Sequence, residues 1–568
     1  MTHYRKLGGF ALSFLVCVIP CGVRLRAADA DLLLKNGRIW TGDPGDPWAE
    51  AVAIRGSRIL AVGNNNAVAG QAGAHSNVID LHGRLAIPGF HEAATQFLAG
   101  SMAMSGIDLT GACSLAEMQA RVHDYAAAHP KEPWLIGSGW QTECFPDHRL
   151  PARQDLDAVV RDRPVFLRAA GAQAAWVNSR ALQLAGITAQ TRYPGLGQIV
   201  TDPKTNEPTG CLREGAQHLV TKVIPDPARA HKLAALEQAI KLASSLGITG
   251  IDNAGGDAEL VSLFDDLDRE KKLPLRVNLA LTISPAMLPS AVERIVEMKQ
   301  TYRDSRLRVT GARFVLDGSV ALRTAALLAP YSDAPASSGR LDWTPEAYES
   351  LVAQCDAGGL QVVTHAAGDR AVRMALDAYE YARRENGPRD SRWRIDGIET
   401  IAPGDVPRVG RLGVVSGAAP AEALEGSLDV FERAVGPERL KFGYPWESLE
   451  SGGAKLVFSS GWPLERSLDP IRAIYAAVNR VTPDRKPAGG WVPAQKVGVE
   501  TAVRAFTVDA AYASFAERQW GQIRAGMLAD VVVLSRDLFE TSPLELNSAR
   551  VDMTIFDGKI VYSTNSEP

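Results

Sequence analysis

From about Ile87 to about Arg504, short apolar runs alternate with longer amphipathic ones. The stretches "PVFLRAAG", "ALEQAIKLASSLGITGIDNAG", "LPLRVNLAL", "RVTGARFVLDG", "AYESLVAQCDAGGLQVVTHAAG", "SRWRIDGIE" and "GAKLVFSSG" carry the pattern. Strands that alternate with helices imply crossover connections and a parallel sheet, and a unit of this length closes most naturally into a (β/α)₈ barrel. A doubly wound open sheet competes, but no Gly-rich dinucleotide fingerprint follows any strand. With 568 residues, 46% of them hydrophobic, the chain can bury one large core and a smaller one beside it.

The chain ends read differently. "DLLLKNGRIW", "AEAVAIRGSRILAVG" and "NVIDLHGRLAIPG" are short strands with turn signals at Asn36-Gly37 and Arg55 to Ser57. "ADVVVLSRD" and "ARVDMTIFDGKIVY" repeat the style near the C-terminus, with a turn at Asp557-Gly558. Both ends are expected to build one β-sandwich from residues 29–86 and 505–568, bracketing a barrel domain at 87–504. Ahead of them, Arg5 and Lys6, an apolar run from Leu7 to Pro20, and Ala27-Ala28 read as a secretory signal over residues 1–28. An uncleaved N-terminal anchor is the alternative, and "VIPC" leaves lipidation as a minor one. The expected location is periplasmic or secreted, with no transmembrane domain, since no later run reaches the ~20 apolar residues a span needs. Signal removal leaves Cys113, Cys144, Cys211 and Cys355, without a paired-cysteine metal motif. An exported chain could oxidise two of them, and the sequence does not say which. A net charge of −4 with no basic run argues against nucleic acid. A small molecule is the expected partner, and the oligomeric state is not legible.

Together with the "VIDLHGRLAIPGF" stretch, "AAWVNSRALQLAGI", "FVLDGSVALRTAALLAPYSD", "GLQVVTHAAGDRAVRMALDAYE", "YPWESLESGGAKLVFSSGWP" and "GQIRAGMLADVVVLSRDLFE" resemble the amidohydrolase superfamily, in the branch that includes N-substituted formamide deformylase. The resemblance runs over nearly the whole chain after the signal. It implies a barrel with a small β-sandwich and a metal-dependent hydrolase of C–N bonds, its ligands at the C-terminal ends of the strands. Carried across, the family's His-x-His falls on Ala94 and Gln96, its bridging lysine on Arg313 and its third histidine on His365. The fourth histidine falls on Gly397 and the aspartate on Gly461. Alanine and glycine offer no donor, a guanidinium is not carbamylated, and a zinc site wants about three protein ligands. A "DGH" element of the family falls on Gly171, Ala172 and Gln173.

Arg313 can itself supply what the cations would. A two-metal centre with its carbamate, aspartate and hydroxide carries about +1, the charge of one guanidinium, which holds a carboxylate or phosphate bidentately. The competing role for Arg313 is an internal salt bridge with Glu92, Glu399, Asp317 or Asp369. His365 is a candidate acid or base, oriented by Asp369 or Asp317, and strand parity places Glu92 and Glu399 with the family's ligand positions while turning His91 away. The resemblance adds Asp317 and Arg323 to the pocket, with Gln96 beside them, and Arg213 and Glu214 at lower weight. The expectation is a metal-free pseudoenzyme without a cofactor whose barrel mouth binds a small, anionic ligand. The alternative is an active amide or formamide hydrolase with a noncanonical site at His365, Glu92 and Glu399, using zinc or another divalent metal.

Overall fold

A computed structural model describes residues 29–170, 174–193, 197–287, 290–426, 428–464 and 467–564. Residues 1–28, expected to be a signal, and the Gly171 to Gln173 stretch lie outside the described residues.

Eight parallel strands form the central sheet: β1 (Phe90–Thr95), β2 (Ile248–Ala254), β3 (Arg276–Thr282), β4 (Leu307–Val315), β5 (Gln361–His365), β6 (Arg394–Asp396), β7 (Val415–Ala418) and β8 (Lys455–Phe458). Neighbours in this order are hydrogen-bonded from β1 to β8, so the sheet is a nearly closed barrel. The seam between β8 and β1 carries no ladder. Instead the Ser460 N–H and Oγ–H both donate to Glu92 Oε2, at 2.8 and 2.9 Å, and Gln96 N–H donates to the Trp462 carbonyl at 3.3 Å.

Helices cover the outside for the reason the sequence gives. In Ala258–Arg269 the residues Leu260, Val261, Leu263, Phe264 and Leu267 share one buried stripe, and Asp257 caps the first turn by accepting from Leu260 N–H at 3.0 Å. The strand-start end is stoppered by Val508–Ala513, whose Ala513 packs with Ala93, Val415 and Val457 while its carbonyl accepts from Gln361 Nε2 at 2.9 Å.

Strands from both ends of the chain share one sheet. Leu85–Pro88 pairs in parallel with Arg38–Trp40 on one side and antiparallel with Val531–Leu534 on the other. A four-stranded sheet, including Ala30–Lys35 and Ala51–Arg55, packs over it through Leu34, Ile39, Val52, Val531 and Val533. Gly56 (φ +55°) and Asp557-Gly558 (φ +48° and +74°) do turn hairpins, where left-handed backbone favours such residues. Asn36-Gly37 does not: the strands on either side of it belong to different sheets, so this turn is a corner of the sandwich.

Two strand assignments change. "PVFLRAAG" is no barrel strand; Val165–Ala169 lies in a separate six-stranded mixed sheet built between β1 and β2, from Ile107–Asp108 to Pro208–Glu214. Its place in the barrel is taken by β7 in "VVSGAAP". Among the described residues no helix is long and apolar enough to cross a membrane.

Candidate functional site at the barrel mouth

The barrel interior is polar. At its lower end His91 Nε2 meets Asp252 Oδ1 at 2.7 Å and its ring stacks on Trp520, centroids 4.5 Å apart. Asn278 Nδ2 donates to the same oxygen at 2.7 Å, and Ser514 Oγ–H at 3.1 Å. The Arg394 guanidinium spans Asp252 and Asp396, with Nη1 to Asp252 Oδ2 at 3.0 Å and Nε to Asp396 Oδ1 at 2.6 Å, while its Nη2 donates to the Ala93 carbonyl. Burial works against the Asp252 carboxylate, but His91 and Arg394 outweigh it and hold the group below the usual carboxylate range. The side chains of Ala93, Asn278, Thr310, Gln361 and Asp396 leave a cavity of about 10 Å³, room for about one water.

Arg313 stands above this network, near the mouth. Its closest carboxylate is Asp396, with Nη1 to Oδ2 at 4.0 Å, too long for a hydrogen bond. Asp396 Oδ2 is buried and has no hydrogen-bond partner among the described residues. Burial pulls the Arg313 guanidinium below its usual value, Asp396 opposes this, and Arg394 adds to it. His365 lies alongside. Its Nε2–H donates to the Gly318 carbonyl at 3.2 Å, and burial, then Arg313, holds the ring below the usual histidine value, so it is neutral at pH 7. Gly397 (φ +78°) gives His365 its space: a Cβ there would sit 2.9 and 3.0 Å from the ring. A Cβ at Gly461 (φ +86°) would lie 2.6 Å from Glu422 Oε2, so the glutamate carboxylate stands where a side chain at 461 would begin.

The carboxylates named from the sequence are dispersed. Glu92 is fully buried at the β8–β1 seam, and burial pushes its carboxyl up to about 8. Glu399 accepts from Val320 N–H at 2.9 Å and is pushed up to about 8 as well, by burial and then by Glu422 and Asp317. Their partners differ, and neither is paired with Arg313. Asp317 is occupied by three backbone amides, those of Ala326, Ala367 and Gly368, at 2.8 to 2.9 Å, and burial raises it to about 6. Asp369 accepts from Leu328 N–H at 2.8 Å. Neither orients His365, whose partner is a carbonyl. Arg323 (φ +59°) is tied to Asp333 on its own loop. Ala94 is half-buried and Gln96 exposed, ahead of the helix Phe97–Met104. Arg213 and Glu214 are exposed on the inserted sheet.

The interior network of His91, Asp252, Arg394 and Asp396 escaped the sequence reading. One signal was available: Arg394 and Asp396 sit two apart in a short strand with apolar Ile395 between them, and so share a face. The expected parity, with His91 turned away, does not hold: His91 joins Asp252 in the interior and Ala93 lines the cavity, where the pairing of β1 with β2 is irregular between Ile248 and Gly250 and between Ile251 and Asn253.

A parallel barrel with a polar interior, joined to a sandwich built from both ends of the chain, is an amidohydrolase-type architecture. The chain belongs to the amidohydrolase family, whose model matches residues 77–562. It is similar to the LONG AFTER FAR-RED 3 protein of Arabidopsis thaliana, 31% identical over 546 residues that cover 94% of this chain and 92% of that one. It is also similar to the N-substituted formamide deformylase of Arthrobacter pascens, 27% identical over 94% of this chain and 98% of the enzyme. Among solved structures, an uncharacterized metal-dependent hydrolase from Pyrococcus furiosus superposes with a TM-score of 0.72 at 27% identity, covering 90% of this chain and all of that one, 100%.

Proposed function

We propose that this chain is an exported, metal-free pseudoenzyme of the family, in which Arg313 holds a small anion at the barrel mouth. The observation that carries this is the state of Arg313 itself: its side chain is only 14% exposed, and among the described residues no carboxylate comes closer than 4.0 Å. A guanidinium so little exposed, with no side-chain hydrogen bond among the described residues, has its N–H fork available to an anionic ligand. A carboxylate fits best, since it takes the planar fork bidentately.

The donor set does not fit the metal that the family implies. Among the described residues no three His, Cys, Asp or Glu side chains are gathered to hold an ion. Around His365 stand a guanidinium, which repels cations, and Gly397, which offers no side chain. The imidazole alone supplies about 10²–10⁴-fold of acid–base help, short of what amide hydrolysis requires.

Calorimetry with formate, acetate and phosphate, on wild type and Arg313→Ala, tests the anchor. A carboxylate should bind the wild type and bind the variant at least about tenfold more weakly, as expected for a lost charge-assisted pair. Equal binding removes the anchor. Elemental analysis of protein from zinc-supplemented cells tests the metal: a stoichiometric ion lost on His365→Ala, with turnover of N-formyl amides, would restore the hydrolase.

A further inference from the structure

In the inserted domain, Ile107–Asp108 and Leu135–Trp140 are parallel neighbours, with Gly137 opposite Ile107 and Ser138 opposite Asp108. They stay together beyond the ladder: Leu109 N–H donates to the Ser138 carbonyl at 2.8 Å, and a Cβ on Gly139 would lie 2.7 Å from Thr110 N. The chain then leaves the same end of both strands in two adjacent turns. The first carries Cys113, its N–H donating to Glu117 Oε2 at 3.1 Å and its thiol to the Gly111 carbonyl at 3.2 Å. The second, Thr142–Cys144, carries Cys144, whose N–H donates to the Gln141 carbonyl at 3.2 Å. Cys144 packs against the apolar cluster that contains Leu109 and Ala112, the residue next to Cys113, so the two turns sit side by side. Cys113 is exposed and Cys144 half-buried, whereas Cys211 and Cys355 are buried.

We propose that Cys113 and Cys144 are a redox pair, which a disulfide oxidant converts into a bridge stapling these two turns. This goes beyond the ligand reading of the barrel and does not rest on it. The Cys113 thiolate attacks one sulfur of a small-molecule disulfide and expels one thiolate. The Cys144 thiolate then attacks Cys113 Sγ, forming the bridge and releasing the second half of the oxidant. Two protein thiols lose two protons and two electrons, and the oxidant gains them as two thiols. Burial, then Cys113 and Glu143, pushes the Cys144 thiol up, so the closing step speeds up as pH rises.

The test is incubation of the full chain with oxidised glutathione at about pH 8, alkylation without reductant, and peptide mapping by mass spectrometry. The expected result is a Cys113 peptide joined to a Cys144 peptide in most molecules, reversed by dithiothreitol and absent from Cys113→Ser and Cys144→Ser. Three results would overturn the pair: both thiols remaining alkylatable, glutathione adducts accumulating on both without a bridge, or a bridge from either cysteine to another partner.

Discussion

Glu92 and Glu399 each make the fold sensitive to pH in a direction that can be worked out. Both carboxyls are pushed from 4.5 to about 8, chiefly by burial. The folded state therefore keeps their protons over a range in which the unfolded chain has released them. Stability from this source is complete below about pH 4.5 and is lost as pH rises through about 8, at up to about 1.4 kcal/mol per pH unit for each group. Urea unfolding at several pH values should show wild type weakening toward alkaline pH and Glu92→Gln and Glu399→Gln each flattening that decline. Equal slopes in all three would mean the groups titrate normally. At Gly397 the obstacle is steric. With φ at +78° and His365 2.9 Å from any Cβ, Gly397→Ala should lower stability by roughly 1–3 kcal/mol, read as a drop in thermal midpoint. A histidine at 397 would thus require His365 to move first.

Among the loops at the mouth, the segment after β4 depends on one carboxylate. Asp317 binds the amide of Ala326 on its own loop and those of Ala367 and Gly368 beyond β5. Asp317→Ala would leave three buried N–H groups without that acceptor, at a cost of about 1–3 kcal/mol for each one left unsatisfied. Limited proteolysis should cut this loop faster in the variant, and unchanged cleavage would show that other acceptors take over. Elements of this kind were unevenly legible in the sequence. Barrel strands such as "GLQVVTH" are apolar and flanked by helical patterns, but Val165–Ala169 has similar chemistry because Val165, Phe166 and Leu167 are buried too, and its place in a mixed sheet, parallel to one neighbour and antiparallel to the other, distinguishes it. The opposite error hid β7, where glycine, serine and alanine give little apolar signal. At the site, His365 and Arg313 were legible from their motifs. The pairing of Arg394 with Asp252 was not, because those residues are 142 positions apart and charges in a strand do not announce which way they face.

On the scale of the whole molecule, the sandwich is held to the barrel by a buried ionic joint. Arg276 at the start of β3 meets Asp530 through Nε and Nη2 at 2.6 and 2.9 Å and also contacts Asp557, with side chains 2%, 4% and 16% exposed. Removing Arg276 strands the buried Asp530 carboxylate, while Asp557 keeps Arg306, so Arg276→Met should cost about 3–5 kcal/mol and lower the urea midpoint. If the midpoint stays put, the joint contributes orientation and not stability. The sandwich has a second property, which concerns time. The strand Leu85–Pro88 lies between Arg38–Trp40 and Val531–Leu534, so a ribosome finishes almost the entire polypeptide before that layer can be completed. Until then the nascent N-terminal segment exposes an unpaired apolar edge, which makes it prone to association and a natural substrate for chaperones.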